Sequence, residues 1–151
     1  MRRTGFFLAT MLIFGALPAT VHGDMPQLMA VTELKATNGG HFFATASING
    51  ASVNVLVDTG ATAVALSYED ARHVGLRPGT LDFNVPVATA NGVTKAARVK
   101  IDRIAIDGVK VEDVDGMVLP EGALQGTLLG MSFLGRLNSF RIEDGILYLK
   151  D

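Results

Sequence analysis

The sequence contains no cysteine and no tryptophan. Without cysteine there is no disulfide to staple the fold, no thiolate zinc site and no cysteine nucleophile. Stability must come from an apolar core, and a chain that is 48% hydrophobic can build one. Histidine is nearly as scarce: His22, His41 and His73 lie far apart and lack metal-ligand spacing, so no metal site and no cofactor are expected. Charge of either sign is sparse. Thirteen Lys and Arg face 15 Asp and Glu, and a net charge of −2 gives no electrostatic case for a nucleic-acid partner. No Gly-x-Ser-x-Gly segment is present to form a serine nucleophile elbow. A length of 151 residues is one domain's worth.

The first segment reads as a targeting signal. Arg2 and Arg3 precede an apolar run from Phe6 to Leu17, which Pro18 breaks. This is the layout of a secretory signal peptide, and the run falls short of the ~20 residues that a membrane-spanning helix needs. Val21 and Gly23 fit the −3 and −1 positions of a cleavage site, with Ala19 as an alternative −1. The expected division is a signal peptide over residues 1–23, or an uncleaved N-terminal membrane anchor, followed by one exported domain over 24–151.

That domain is predicted to be all-β, with one or two short helices. His41–Ile48 and Ser52–Val57 read as strands joined at Asn49-Gly50, a strong hairpin signal. Val85–Ala90 and Val93–Ile101 flank a second such pair, Asn91-Gly92, and Asp107-Gly108 and Asp144-Gly145 supply two more turns. Ser67 with Asp70 resembles a capping box, and Gly75 ends the helix it would start. A second short helix is expected over Ser132–Leu137. Short strands separated by glycine turns argue for a small closed barrel or a sandwich. Ile48-Asn49-Gly50 before Val53 is echoed by Ile106-Asp107-Gly108 before Val111, the trace of an internal twofold if the fold has one.

The chemistry concentrates in Val55-Leu56-Val57-Asp58-Thr59-Gly60-Ala61-Thr62. A carboxylate directly follows an apolar strand. Thr59 adds a hydroxyl able to donate and accept, Gly60 leaves room for another backbone, and Ala61 is small. The bland alternative is an aspartate in an ordinary turn. Leu128-Leu129-Gly130 supplies an apolar strand that leads into the second helix. With Thr89-Ala90-Asn91-Gly92, the block Leu128 to Leu134 and the closing Arg136 to Ile142, these residues resemble the retropepsin-like aspartic peptidases, specifically their bacterial exported branch. The likeness runs from about Gln27 to Lys150.

The resemblance implies a closed retropepsin-like acid-protease barrel that works as a homodimer in the periplasm, or anchored to the inner membrane and facing it. It implies Asp58 as the catalytic aspartate, Thr59, Gly60 and Ala61 as its supporting loop, and Leu128, Leu129 and Gly130 as the element beneath that loop. Thr89, Ala90, Asn91 and Gly92 match the family's flap, against the plainer reading of a solvent-facing hairpin. Only one Asp-Thr-Gly occurs, and Asp102, Asp107, Asp113 and Asp115 are expected in turns or on polar strand faces, so a second copy of the chain must supply the other aspartate. The implied substrate is an extended protein or peptide segment. The sequence departs from retroviral members in two places. Met131 and Thr62 stand where an Arg and its acidic partner are usual, and the flap carries no aromatic residue. A non-catalytic peptide-binding or assembly domain of the same fold is the alternative function.

Overall fold

The computed structural model describes residues 29–151, so the expected signal peptide, or anchor, and the first residues of the domain lie outside the described residues. In chain order the strands are β1 (Val31–Lys35), β2 (Phe43–Ile48), β3 (Ala51–Val57), β4 (Val64–Leu66), β5 (Phe83–Thr89), β6 (Gly92–Ile106), β7 (Val109–Val118), β8 (Thr127–Leu129), β9 (Ser139–Glu143) and β10 (Ile146–Lys150). Two short helices, α1 (Tyr68–His73) and α2 (Met131–Leu134), follow β4 and β8. Among the described residues, no helix is long and apolar enough to cross a membrane.

Six strands close a barrel in the order β2, β3, β8, β4, β7, β6, and β2 returns to β6 through Ser47–Ala105 and Ile48–Ile104. Alternation drives the closure. On β6, Val99, Ile101, Ile104 and Ile106 turn inward, where Ile48, Val55, Leu66 and Leu129 meet them. Each such side chain removed from water contributes about 1.5–3 kcal/mol. Phe133 and Leu134 of α2 plug the same core. β5 hangs on β6 as the outer arm of a long hairpin. Its Pro86 has no N–H to give, which an edge strand tolerates. β1, β10 and β9 form a separate antiparallel sheet, and Leu147 and Leu149 pack it onto the core.

The echo between the two hairpins reflects a real internal symmetry. The second strand of each hairpin pairs in parallel with the short strand of the other half: β3 with β8, and β7 with β4. The two short strands then meet antiparallel at Ala65–Leu128, and each leads into a helix. The Asp58 N–H donates to the Leu129 carbonyl at 3.1 Å, and the Leu119 N–H donates to the Leu66 carbonyl at 3.0 Å. Leu119 is therefore the internal counterpart of Asp58.

Several expectations shift in detail. The second helix covers Met131–Leu134 rather than Ser132–Leu137, because Gly135 caps it and the chain then proceeds by single turns. Asn49-Gly50 and Asp144-Gly145 adopt the left-handed turn at both residues, but at Asp107-Gly108 only Asp107 does. In the β5–β6 hairpin the turn falls on Ala90-Asn91, with Thr89 paired to Gly92, so Gly92 opens β6 instead of closing the turn. Ser67 caps α1 by accepting from the Asp70 N–H at 3.1 Å, while the Asp70 carboxylate turns away to Thr127. β1 carries little alternation signal because its most buried position is the polar Thr32, with Leu34 the one apolar residue beside it on that face. The Thr32 hydroxyl is buried and donates to the Ile106 carbonyl at 3.1 Å.

Candidate active site

β3 carries the chain from the buried Val55 to Asp58, which is half-buried and opens onto a cleft. Three bonds set the loop. The Asp58 N–H is tied to Leu129, the Ala61 N–H donates to the Asp58 carbonyl at 3.2 Å, and the Gly60 N–H donates to Asp58 Oδ1 at 2.9 Å. The last of these fixes the carboxylate rotamer. A Cβ on Gly60 would lie 3.1 Å from that same oxygen, so a larger residue would crowd the carboxylate. Thr59 is exposed, and among the described residues nothing bonds its hydroxyl.

Gly130 lies beneath the loop. A Cβ there would approach the Ala63 carbonyl oxygen to 2.2 Å and the Ala61 carbonyl oxygen to 2.7 Å. Only glycine lets β8 and the loop come this close, which is the physical content of the Leu128-Leu129-Gly130 pattern. The Met131 N–H then donates to the Ala61 carbonyl at 2.8 Å and fastens the start of α2 to the loop. Met131 is half-buried against the core, and Thr62 is exposed at the cleft. Neither position holds a charge, so the loss of the retroviral ion pair leaves no buried ion.

Two supports had no assigned role in the sequence. Ser132 Oγ accepts from the Val64 N–H at 2.9 Å and donates to the Asp115 carbonyl at 2.6 Å, joining α2, β4 and β7 in one step. The buried Thr127 hydroxyl donates to Asp70 Oδ2 at 2.7 Å and latches β8 to α1. The signals for Ser132 are its place inside the Leu128–Leu134 block and at the start of the expected second helix, and neither shows that its hydroxyl joins β4 to β7. Nothing in the sequence pairs Thr127 with Asp70, 57 residues away.

The cleft has a volume of about 930 Å³. The Asp58 loop, the apolar Leu119, Leu124 and Leu128, and Val87 to Ala90 of the long hairpin line it together. Of the predicted flap residues, Thr89 and Ala90 line the same cleft as the predicted catalytic loop, and Asn91 and Gly92 are not among its lining residues. Thr89 Oγ1 donates to the Gly92 carbonyl at 2.9 Å and accepts from the Asn91 N–H at 3.3 Å, holding the tip. The hairpin base is braced by Phe83 stacked on Tyr68 of α1, with centroids 6.4 Å apart. A second, shallower groove of about 620 Å³ lies along β3 and residues 124–128 and does not include Asp58.

Asp102 and Asp113 are exposed on β6 and β7, and Asp107 sits in its turn, as expected. Asp115 lies on an exposed strand face but also lines the cleft. Its Oδ1 is 2.8 Å from Lys100 Nζ, and this hydrogen bond and charge hold its carboxyl below the usual carboxylate range. At the place related to Asp58 by the internal twofold, the cleft presents the apolar Leu119.

Comparison with known proteins points one way. The family model described as gag-polyprotein putative aspartyl protease matches residues 44–136. A solved retropepsin-like aspartic protease from Rickettsia conorii is 34% identical, with a TM-score of 0.73 over 81% of this chain and 91% of that one. The EIAV protease, solved in complex with the inhibitor HBY-793, shares the fold at 21% identity, with a TM-score of 0.54 over 67% of this chain and 91% of that one. A Sinorhizobium protein named for its place in the cobV 5' region is 40% identical over 93% of this chain. The chain spans 60% of that relative's length.

Proposed function

The chain belongs to the retropepsin-like aspartic protease family, and we propose from that premise that it is an aspartic endopeptidase whose active form is a homodimer, with one Asp58 from each copy. The observation that carries this reading is the asymmetry of the cleft. A carboxylate is locked in place at Asp58, and its internal counterpart is Leu119. One chain therefore holds half of a dyad. A C₂ axis passing beside the loop brings a residue against its own copy and completes the pair. The exposed Thr59 hydroxyl is free to bond across that axis.

Two carboxylates about 3 Å apart cannot both ionise, so the pair shares one proton. The ionised member takes a proton from a water held between them, and the resulting hydroxide attacks the scissile carbonyl. The protonated member gives its proton to the developing oxyanion. Collapse of the tetrahedral intermediate breaks the C–N bond, and the leaving amine takes up a proton. The substrate is an extended segment lying between the Asp58 loop and the hairpin, held by main-chain bonds, with apolar side chains against Leu119, Leu124 and Leu128. The basic-then-apolar composition of residues 2–17 supports action on exported proteins, after the chain itself has crossed or been anchored in a membrane.

Asp58→Asn tests the assignment. The amide is nearly isosteric and can still accept from the Gly60 N–H, so the fold should survive, but it cannot act as the ionised base. Turnover should vanish, while dimerisation persists or tightens as carboxylate repulsion is removed. Normal turnover by purified Asp58→Asn protein would refute the assignment. Peptide binding without cleavage by the wild type would instead place the chain among non-catalytic peptide-binding domains.

A further inference from the structure

The cleft is apolar beside Asp58 and charged at one end. β6 alternates strictly there: Val99 and Ile101 enter the core, while Arg98 and Lys100 stand on the outer face. Across the ladder, Arg98 lies opposite Met117 and Lys100 lies opposite Asp115. Arg98, Met117 and Asp115 all line the cleft. The acid at this end is already engaged, because Asp115 bonds Lys100 at 2.8 Å. Arg136 adds more positive charge nearby and donates to the Glu112 and Asp113 carbonyls, without taking up a carboxylate side chain. Among the described residues, Arg98 joins no ion pair within 4.0 Å.

We propose that Arg98 is a specificity-determining residue that receives a carboxylate side chain of the substrate, so that a Glu or Asp at the subsite beside it is preferred. The proposal deepens the peptidase reading and rests on it. Arginine suits the task. Its planar fork matches a carboxylate with two parallel hydrogen bonds, and its charge does not depend on pH in the working range. The neighbouring Met117 is apolar and half-buried, and its thioether is only a weak acceptor that does not compete with a carboxylate for the guanidinium. A peptide carboxylate entering here meets Arg98 on the cleft lining, and the acid next to it, Asp115, is already bonded to Lys100. A lysine in the same subsite meets Arg98 as repulsion. Because Arg98 is exposed, the preference is modest: about two- to five-fold in kcat/KM, the range open to an exposed ion pair. It weakens as salt rises.

The test uses fluorogenic peptides that differ only by Glu, Gln or Lys, scanned across the positions on both sides of the cut, at low and high salt. The wild type should favour Glu over Gln at one position by about two- to five-fold, less so at high salt. Arg98→Gln should bring the Glu-to-Gln ratio to about one, and Arg98→Glu should shift the preference toward Lys at that same position. Equal cleavage of Glu and Gln peptides by the wild type at every position, or a Glu preference that survives Arg98→Gln, would overturn the proposal. If the wild type cleaves none of the peptides, it is the peptidase reading that fails. Anisotropy of the same labelled peptides on Asp58→Asn protein, with and without Arg98→Gln, then decides the role of Arg98. Tighter binding of the Glu peptide that is lost in the double variant supports it, and equal affinities overturn it.

Discussion

Replacing Gly130 by alanine adds one methyl group where two carbonyls converge. Ordinary contact for a Cβ begins near 3.4 Å, and the Ala63 oxygen would stand at 2.2 Å, so something must move by about 1.2 Å. Both obstructing atoms are backbone, one of them the acceptor for the Met131 N–H, and no flexible side chain can give way. Overpacking of this kind costs about 1–3 kcal/mol, and the loss of the Ala61–Met131 bond adds roughly 1 kcal/mol. The sum, about 2–4 kcal/mol, is a large part of a typical domain's 5–15 kcal/mol. The melting temperature should fall by roughly 10 °C. Turnover should fall more steeply than the folded fraction, because the displaced segment is the loop that carries Asp58. Gly126→Ala is the matched control. Its Cβ meets nothing within 4 Å and its φ lies outside the left-handed region, so stability should hold or rise by up to about 1 kcal/mol. Melts should be run at one fixed protein concentration, since the proposed dimerisation would shift them. A Gly130→Ala protein that melts with the wild type and turns over normally would refute the close-approach reasoning.

Two further outcomes follow from the same framework. Ser132→Ala removes the acceptor for the buried Val64 N–H, so urea unfolding should show a loss of about 1–3 kcal/mol, and an unchanged midpoint would remove Ser132 from the supporting frame. Under the proposed shared dyad, activity against pH should trace a bell, because a singly protonated carboxylate pair exists only between two macroscopic pKa values. A rate that climbs without a maximum into strongly alkaline solution would contradict an aspartate pair.

Much of this architecture was legible in the residues, because its strongest signals are local. Asn49-Gly50 and Asp144-Gly145 need a left-handed backbone, which these side chains and glycine accept, so their hairpins announce themselves. Asp58-Thr59-Gly60 after an apolar strand and Leu129-Gly130 before a helix are likewise contiguous patterns, and the fold brings them together. What escaped was non-local. β1 presents Thr32 inward because a carbonyl 74 residues away accepts its hydroxyl, and no periodicity reveals that. The Asp70 carboxylate answers to Thr127 rather than to its own helix end. Asp115 reads as a residue of a turn or a polar strand face, and a strand face is where it lies, beside Arg98. That this face also borders the cleft depends on how β6 and β7 curve around the barrel. The correspondence of Leu119 to Asp58 is invisible in sequence because the two positions share a place in the ladder but not a residue type.

The central claim is that one catalytic site is shared by two copies, and subunit mixing tests it most directly. Wild-type protein is titrated with excess Asp58→Asn protein, with exchange verified through a size-tagged variant. Mixed dimers hold one carboxylate and one amide, so activity per wild-type chain should fall as the inactive partner accumulates and should approach zero at large excess. If exchange is complete and each wild-type chain keeps its full activity, the site is complete within a single chain and the shared dyad is wrong.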